Sequence, residues 1–247
     1  MTNLAIDIGN TRTKIAVFHG DELVHSEAWE VLTADALQKL AYNQNTGKII
    51  LSSVAKQSED MLTFLRSQPF FLELTTETPL PIGIQYKTPQ TLGKDRVAAA
   101  VGAWHFHPGE NCLVVDAGTC IKMDVVSAKG VFLGGNISPG IEMRLKAMHH
   151  FTARLPSVKQ GEVLPDLLGD STENALRNGG ELGALLEVEG FIRRCQRKFR
   201  GLKVVLTGGD TDFFVRNIKT KIFAHQNLVL HGLNQILKHN AKLFEGF

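Results

Sequence analysis

Cysteine is scarce in this sequence of 247 residues, and its three copies, Cys112, Cys120 and Cys195, are widely spaced. Without a C-x-x-C pair they form neither a structural zinc motif nor a dithiol redox motif, and reduced thiols in a cytosolic protein are the expectation. Long apolar runs are absent too, so no segment reaches the roughly 20 residues that cross a bilayer. The start, Met1 to Ile8, has no basic region, and Asp7 interrupts its apolar stretch, so no signal peptide is expected. Charge of one sign is not in excess. With 27 basic and 25 acidic residues the net charge is +2, which leaves no broad electrostatic footprint for nucleic acid. Neither G-x-x-x-x-G-K-[ST] nor G-x-G-x-x-G occurs, which excludes a P-loop and a dinucleotide fingerprint.

What is present suits one large domain or two fused lobes, since 43% of residues are hydrophobic and only 21% charged. The pattern predicts strands at Leu4–Ile8, Lys14–Phe18 and Glu22–Ala28 as an antiparallel meander. A helix Ala34–Tyr42, a strand Lys48–Ser52, a helix Gln57–Ser67 and a short strand Phe70–Leu74 follow, the alternation of a sheet covered by helices. Pro79, Pro81, Gly83 and Pro89 make residues 78–89 a loop-rich crossing, which sets the expected division into an N-terminal part, 1–90, and a C-terminal part, 91–247. Beyond it the pattern predicts a helix Arg96–Phe106, strands Cys112–Asp116 and Ile121–Val126, and a glycine-rich run Leu133–Gly140. Helices Ile141–His150 and Thr172–Phe199, a strand Lys203–Thr207 and a helix Leu228–His239 complete it.

One internal echo carries the functional argument. Leu4–Thr11 reads LAIDIGNT and Leu113–Thr119 reads LVVDAGT, and each is followed by another apolar run, Ile15–Phe18 and Ile121–Val126. Both are strand, Asp-x-Gly turn, strand. A single such turn is an ordinary β-turn, but two in matching contexts suggest a duplicated half-domain with a cleft between the copies. Glycine lets the backbone approach a ligand and present N–H groups to phosphate oxygens, and the Asp suits a hydrated cation. A third element, Gly93-Lys94-Asp95-Arg96, precedes the apolar run Val97–Ala100. Asp95 there serves as a helix cap, and the same carboxylate can take a proton from an attacking hydroxyl while Arg96 grips an anionic group. Val204–Gly209 reads as a buried strand ending in two glycines that can pass against a nucleoside.

Taken together, Asp7–Thr11 with Lys14, Gly93–Arg96 with Ala98 and Gly102, Asp116–Thr119 with Asp124, and Gly134–Gly140 closely resemble the type III pantothenate kinases, over nearly the whole chain and in order. That family belongs to the superfamily of acetate and sugar kinases, heat-shock protein 70 and actin. The resemblance implies an α/β fold of duplicated actin-like, ribonuclease H-like half-domains, with mixed sheets flanked by helices. It implies transfer of the ATP γ-phosphoryl group to pantothenate, giving 4′-phosphopantothenate in coenzyme A synthesis. ATP with Mg2+ would lie along Asp7, Ile8, Gly9, Asn10, Thr11, Arg12, Thr13 and Lys14, with a further contact at Thr119. Pantothenate would meet Tyr86, Gly93, Lys94, Asp95, Arg96 and Thr172, with Asp95 as proton acceptor. Asp116 would hold a monovalent cation, K+ or NH4+, and the active site would be shared in a homodimer. Cys120 departs from the small residue common after Thr119. Thr172, in Asp170-Ser171-Thr172-Glu173, also reads as a helix cap. Two other readings of the fold are a nucleotide or polyphosphate phosphatase and a regulatory accessory protein that binds nucleotide. The histidines His105, His107, His149 and His150 lack ligand-spaced partners and read as surface or packing residues.

Overall fold

The computed structural model of the protein describes residues 1–9, 11–55 and 57–245. Contacts divide the chain into two compact units. The first is Met1–Pro108 with Gly130–Phe132 and Asn227–Phe247, and the second is Gly109–Lys129 with Leu133–Gln226.

The first unit begins with β1 (Thr2–Ile8), β2 (Thr13–His19) and β3 (Glu22–Trp29). Leu4, Ala5 and Ile6 of β1 and Ile15 to Phe18 of β2 are fully buried, whereas β3 alternates between exposed and half-buried positions, as an edge strand with one solvated face does. Helix α1 (Ala34–Asn43) is capped by the Thr33 hydroxyl, which accepts from Ala36 N at 3.2 Å, and leads to β4 (Thr46–Ser53). In α2 (Glu59–Arg66) Ser58 is the cap, Glu59 and Asp60 open the helix and Arg66 closes it, all complementary to the helix dipole. Strands β5 (Phe71–Glu73) and β6 (Gly83–Ile84) precede α3 (Lys94–Phe106). Arg96 to Ala103 are all buried, since a run of valine, alanine and glycine is apolar on every side.

The second unit holds β7 (Cys112–Ala117), β8 (Cys120–Val126) and most of β9 (Val131–Pro139). Then come α4 (Ile141–His150), α5 (Thr172–Arg177), α6 (Gly183–Lys198), β10 (Lys203–Thr207), α7 (Thr211–Asn217) and β11 (Phe223–Ala224). The single helix expected over Thr172–Phe199 is interrupted by a π-helical turn, Asn178–Leu182. Helix α8 (Leu228–Glu245) returns to the first unit.

The two units share a topology. The first sheet has the order β3-β2-β1-β4-β5, with β1 antiparallel to β2 and parallel to β4. The second runs β11-β10-β7-β8-β9, with β7 antiparallel to β8 and parallel to β10, and the start of β9 pairs with β6 in the first unit. The duplication read from the two Asp-x-Gly turns is therefore a duplication of whole mixed sheets flanked by helices.

The sequence boundary at residue 90 falls inside the first unit, which also takes α3 and α8. The physical reason is a close crossing of those two helices: a Cβ on Gly102 would stand 2.5 Å from Leu228 O, and one on Gly232 would overlap Ala98 O. Polar locks complete the attachment. Asn234, fully buried on α8, accepts from Asn3 Nδ2 and donates to Gly20 O, both at 2.9 Å. Asn240 Nδ2 donates to Pro79 O at 2.9 Å. Packing of this kind has no signature in local periodicity.

Candidate active site

In the first unit the turn after β1 is closed by Gly9 N donating to Arg12 O at 3.1 Å. Antiparallel register sets Asp7 opposite Lys14 and Ile8 opposite Thr13. Thr13 is buried, Asp7, Ile8, Gly9 and Lys14 are half-buried, and Thr11 and Arg12 are exposed. The hairpin therefore presents hydroxyl, guanidinium and backbone groups at its tip, with a carboxylate and an ammonium at its base. Asn10 lies outside the described residues.

A second cluster in the same unit is built by the start of α3. Gly93 is the N-cap, so Asp95 stands in the first turn rather than at the cap itself, where its charge still complements the helix dipole. A Cβ on Gly93 would lie 2.6 Å from Asp95 Oδ1, so the carboxylate folds back over the glycine and a side chain there would push it aside. Arg96, only 6% exposed, places its guanidinium carbon 5.8 Å from the Tyr86 ring centre and 5.7 Å from that of Phe132. Those two rings meet edge to face at 5.9 Å. Tyr86, implied by the resemblance, thus stands in one neighbourhood with the Gly93–Arg96 motif, and Phe132 joins it without having been singled out.

In the second unit the Asp116 turn is met by two other backbone segments. Gly118 N donates to Cys120 O, and Gly140 N at the head of α4 donates to Thr119 O, each at 3.1 Å. A Cβ on Gly140 would overlap Gly118 O. From the other side Asp210 N donates to Ala117 O at 2.9 Å. Gly208, with φ of +101°, brings that loop so close that any side chain would strike Ala117. The close backbone packing of Gly118, Gly140 and Gly208 leaves Gly118 and Gly208 half-buried and Gly209 exposed at the ends of β7 and β10, beside the N-terminus of a ten-residue helix, the kind of place that takes an anion. Thr119 is exposed there.

Asp116 accepts a 2.6 Å bond from Lys122 Nζ on the facing strand. Burial, with the Glu142 carboxylate adding to it, pushes the Asp210 carboxyl up to about 6. Neither Lys122 nor Asp210 was marked by the sequence: a charged residue alternating in a strand, or one after two glycines, reads as solvated. Cys112 and Cys195 are buried thiols whose desolvation raises their pKa, to about 12 for Cys112, which leaves them inert.

Thr172 opens α5, but the cap is Ser171, whose hydroxyl accepts from Asn174 N at 3.2 Å. Thr172 is left exposed. The segment before it is tied down by Glu181, which is fully buried in the π-helical turn. Its carboxylate accepts from Gly161 N and from Arg177 Nε, both at 2.9 Å, and Arg177 also donates to Val163 O. Among the described residues no group of three or more His, Cys, Asp or Glu is arranged to hold a metal ion, and no helix is long and apolar enough to cross a membrane.

A family model described as type III pantothenate kinase matches residues 3–194. A type III pantothenate kinase from Phocaeicola vulgatus is 45% identical over 243 residues, covering 98% of this chain and 100% of the relative. Among solved structures, one titled a conserved putative Baf family transcriptional activator from Campylobacter jejuni aligns with a TM-score of 0.62 at 26% identity, covering 97% of this chain and 99% of that one. The ROK hexokinase from Thermus thermophilus aligns with a TM-score of 0.53 over 98% of this chain and 100% of its own, and at 15% identity it shares the fold alone.

Proposed function

Since the chain belongs to the type III pantothenate kinase family, we propose that it transfers the γ-phosphoryl group of ATP to the primary hydroxyl of pantothenate. The observation that carries the reading is the cluster of Asp95, Arg96 and Tyr86: a carboxylate at a helix start beside a buried guanidinium held against aromatic rings. An acceptor that is both an alcohol and an acid needs these two groups. Asp95 accepts the hydroxyl proton as the oxygen attacks phosphorus. Arg96, held against the Tyr86 and Phe132 rings, pairs with the acceptor's carboxylate. Gly93 and Lys94 line the same approach, and Thr172 supplies a hydroxyl to the acceptor.

ATP is assigned to the Asp7–Lys14 hairpin and to Thr119, as the family's motifs imply, and within the second unit the exposed Gly209 beside half-buried Gly118 and Gly208 suits a ligand that needs close backbone contact. Lys14 and the backbone of the turn neutralise charge that develops on the phosphoryl oxygens. The half-buried carboxylate of Asp7 suits a hard, hydrated divalent ion such as Mg2+, which neutralises phosphate charge when bound with the nucleotide. Whether a potassium or ammonium ion also serves at Asp116 depends on the ammonium already there, that of Lys122.

A homodimer sharing its active sites is part of the same reading. Its support is an exposed apolar set in the second unit, Phe151, Val163, Leu167, Leu168 and Leu186, which a second copy of the chain would cover. A coupled assay for ADP tests the activity: release should depend on pantothenate. Release at the same rate without it would mean a phosphatase, and no release would leave a nucleotide-binding protein without turnover.

A further inference from the structure

Asp116 lies one residue before the end of β7 and Lys122 is the third residue of β8, and the hairpin register places them directly opposite. Lys122 Nζ reaches Asp116 Oδ2 at 2.6 Å, with side chains only 20% and 17% exposed. The expectation for Asp116 was a potassium or ammonium ion, and the residues present do not fit it. Asp116 Oδ2 is already bonded to a cation of the same charge, and a second cation on the same carboxylate would meet its repulsion.

An alkylammonium is chemically a tethered ammonium ion, with the same charge and three N–H donors. Tethering also removes its dependence on salt, since its local concentration is set by the strand and not by the solution. The first unit repeats the arrangement, with Lys14 opposite Asp7 in the equivalent hairpin. A lysine across from the turn carboxylate is thus a feature of both copies of the duplicated sheet.

We propose that the Lys122 ammonium is the built-in monovalent cation of the Asp116 turn, so that turnover requires no potassium or ammonium ion. Lys122 acts through Asp116 and is a positioning residue: it holds the carboxylate, and with it the turn that carries Thr119, in one arrangement. The inference rests on the kinase reading, and the test separates the two.

Pantothenate-dependent ADP release by the wild-type protein is compared in sodium, potassium and ammonium chloride at equal ionic strength. The rates should agree within about twofold. Lys122→Ala should be slower by roughly 10²-fold in sodium, the usual loss when one fixed charge is removed from a site, and ammonium should restore at least about tenfold of it. Its melting temperature should rise in ammonium chloride but not in tetramethylammonium chloride, an effect that a purely structural lysine would not produce. A wild-type rate that rises more than about threefold with potassium or ammonium overturns the proposal, whatever the variant does. So does a folded Lys122→Ala that keeps its rate in sodium, or one that neither cation rescues. If the wild-type protein releases no ADP in any salt, the kinase reading fails, and the ammonium-specific melting shift of Lys122→Ala still decides the role of the lysine.

Discussion

The guanidinium of Arg96 lies against two aromatic rings at once, those of Tyr86 and Phe132, and is buried there. A buried guanidinium held against two rings presents its fork of donors from a fixed place, which a flexible ammonium on a similar stem would not. Arg96→Lys should therefore raise KM for pantothenate by roughly tenfold to a hundredfold while changing KM for ATP little. Equal effects on both substrates would mean that Arg96 supports the fold rather than the acceptor.

Asp95→Asn keeps the shape of the side chain and removes its basicity. Turnover should fall by roughly 10² to 10⁴, the usual worth of a general base, with pantothenate binding retained by calorimetry. Near-normal turnover would leave Asp95 only its favourable place in the first helical turn.

If the sites are shared, Asp95 comes from one subunit and Thr172 from the other. Dissociating and re-mixing two inactive variants, Asp95→Ala and Thr172→Arg, then gives mixed dimers with one doubly damaged site and one intact site. Random pairing should return about a quarter of wild-type activity. No recovery from a mixture shown to have exchanged subunits would place both residues in one protomer's site.

Removing the Glu181 carboxylate takes away the ion-pair partner of Arg177 and leaves Gly161 N without its acceptor. Glu181→Ala should cost about 3 kcal/mol in urea unfolding, at the lower end of the range for breaking a buried pair because Arg177 keeps some contact with water. Glu181→Gln, which retains an acceptor for Gly161 N, should cost less. A loss below about 1 kcal/mol for the alanine variant would show that the pair contributes little.

Asp210 gives a pH dependence of defined sign. Its carboxyl holds a proton up to about 6 in the folded protein and releases it in the ordinary aspartate range when unfolded. Between those values the native state binds more protons, so this group makes stability fall as pH rises, and above 6 the buried charge is a standing penalty. Asp210→Asn should raise stability at pH 7.5 by about 1 kcal/mol, discounted because the carboxylate is partly solvated, and change it little near pH 4. A melting-temperature difference that is the same at both pH values would refute this.

The strands and helices with strong periodicity were legible in the sequence. Ile141–His150 and Lys203–Thr207 have the expected bounds, and the two Asp-x-Gly turns lie in matched hairpins. What was not legible depends on partners distant in sequence. The two-residue strands β6 and β11 exist only because β9 and β10 supply their hydrogen bonds. The π-helical turn at Asn178–Leu182 reads locally as ordinary helix, and nothing in the sequence marks Glu181 as buried. Lys122 escaped notice because its meaning comes from the residue across the hairpin. Tyr86 was assigned by resemblance and Arg96 from the motif that opens α3, and only the fold reveals that a second ring, Phe132, completes their contact.

The return of α8 to the first unit orders events during synthesis. A ribosome releases residues 1–108 long before Leu228, and until then the face of α3 around Gly102 and Ala98 has no covering helix. The second unit is complete in the chain by Gln226 and can fold while its predecessor still waits. The unit that comes first in sequence therefore finishes last, and it is the exposed intermediate that chaperones and proteases would meet.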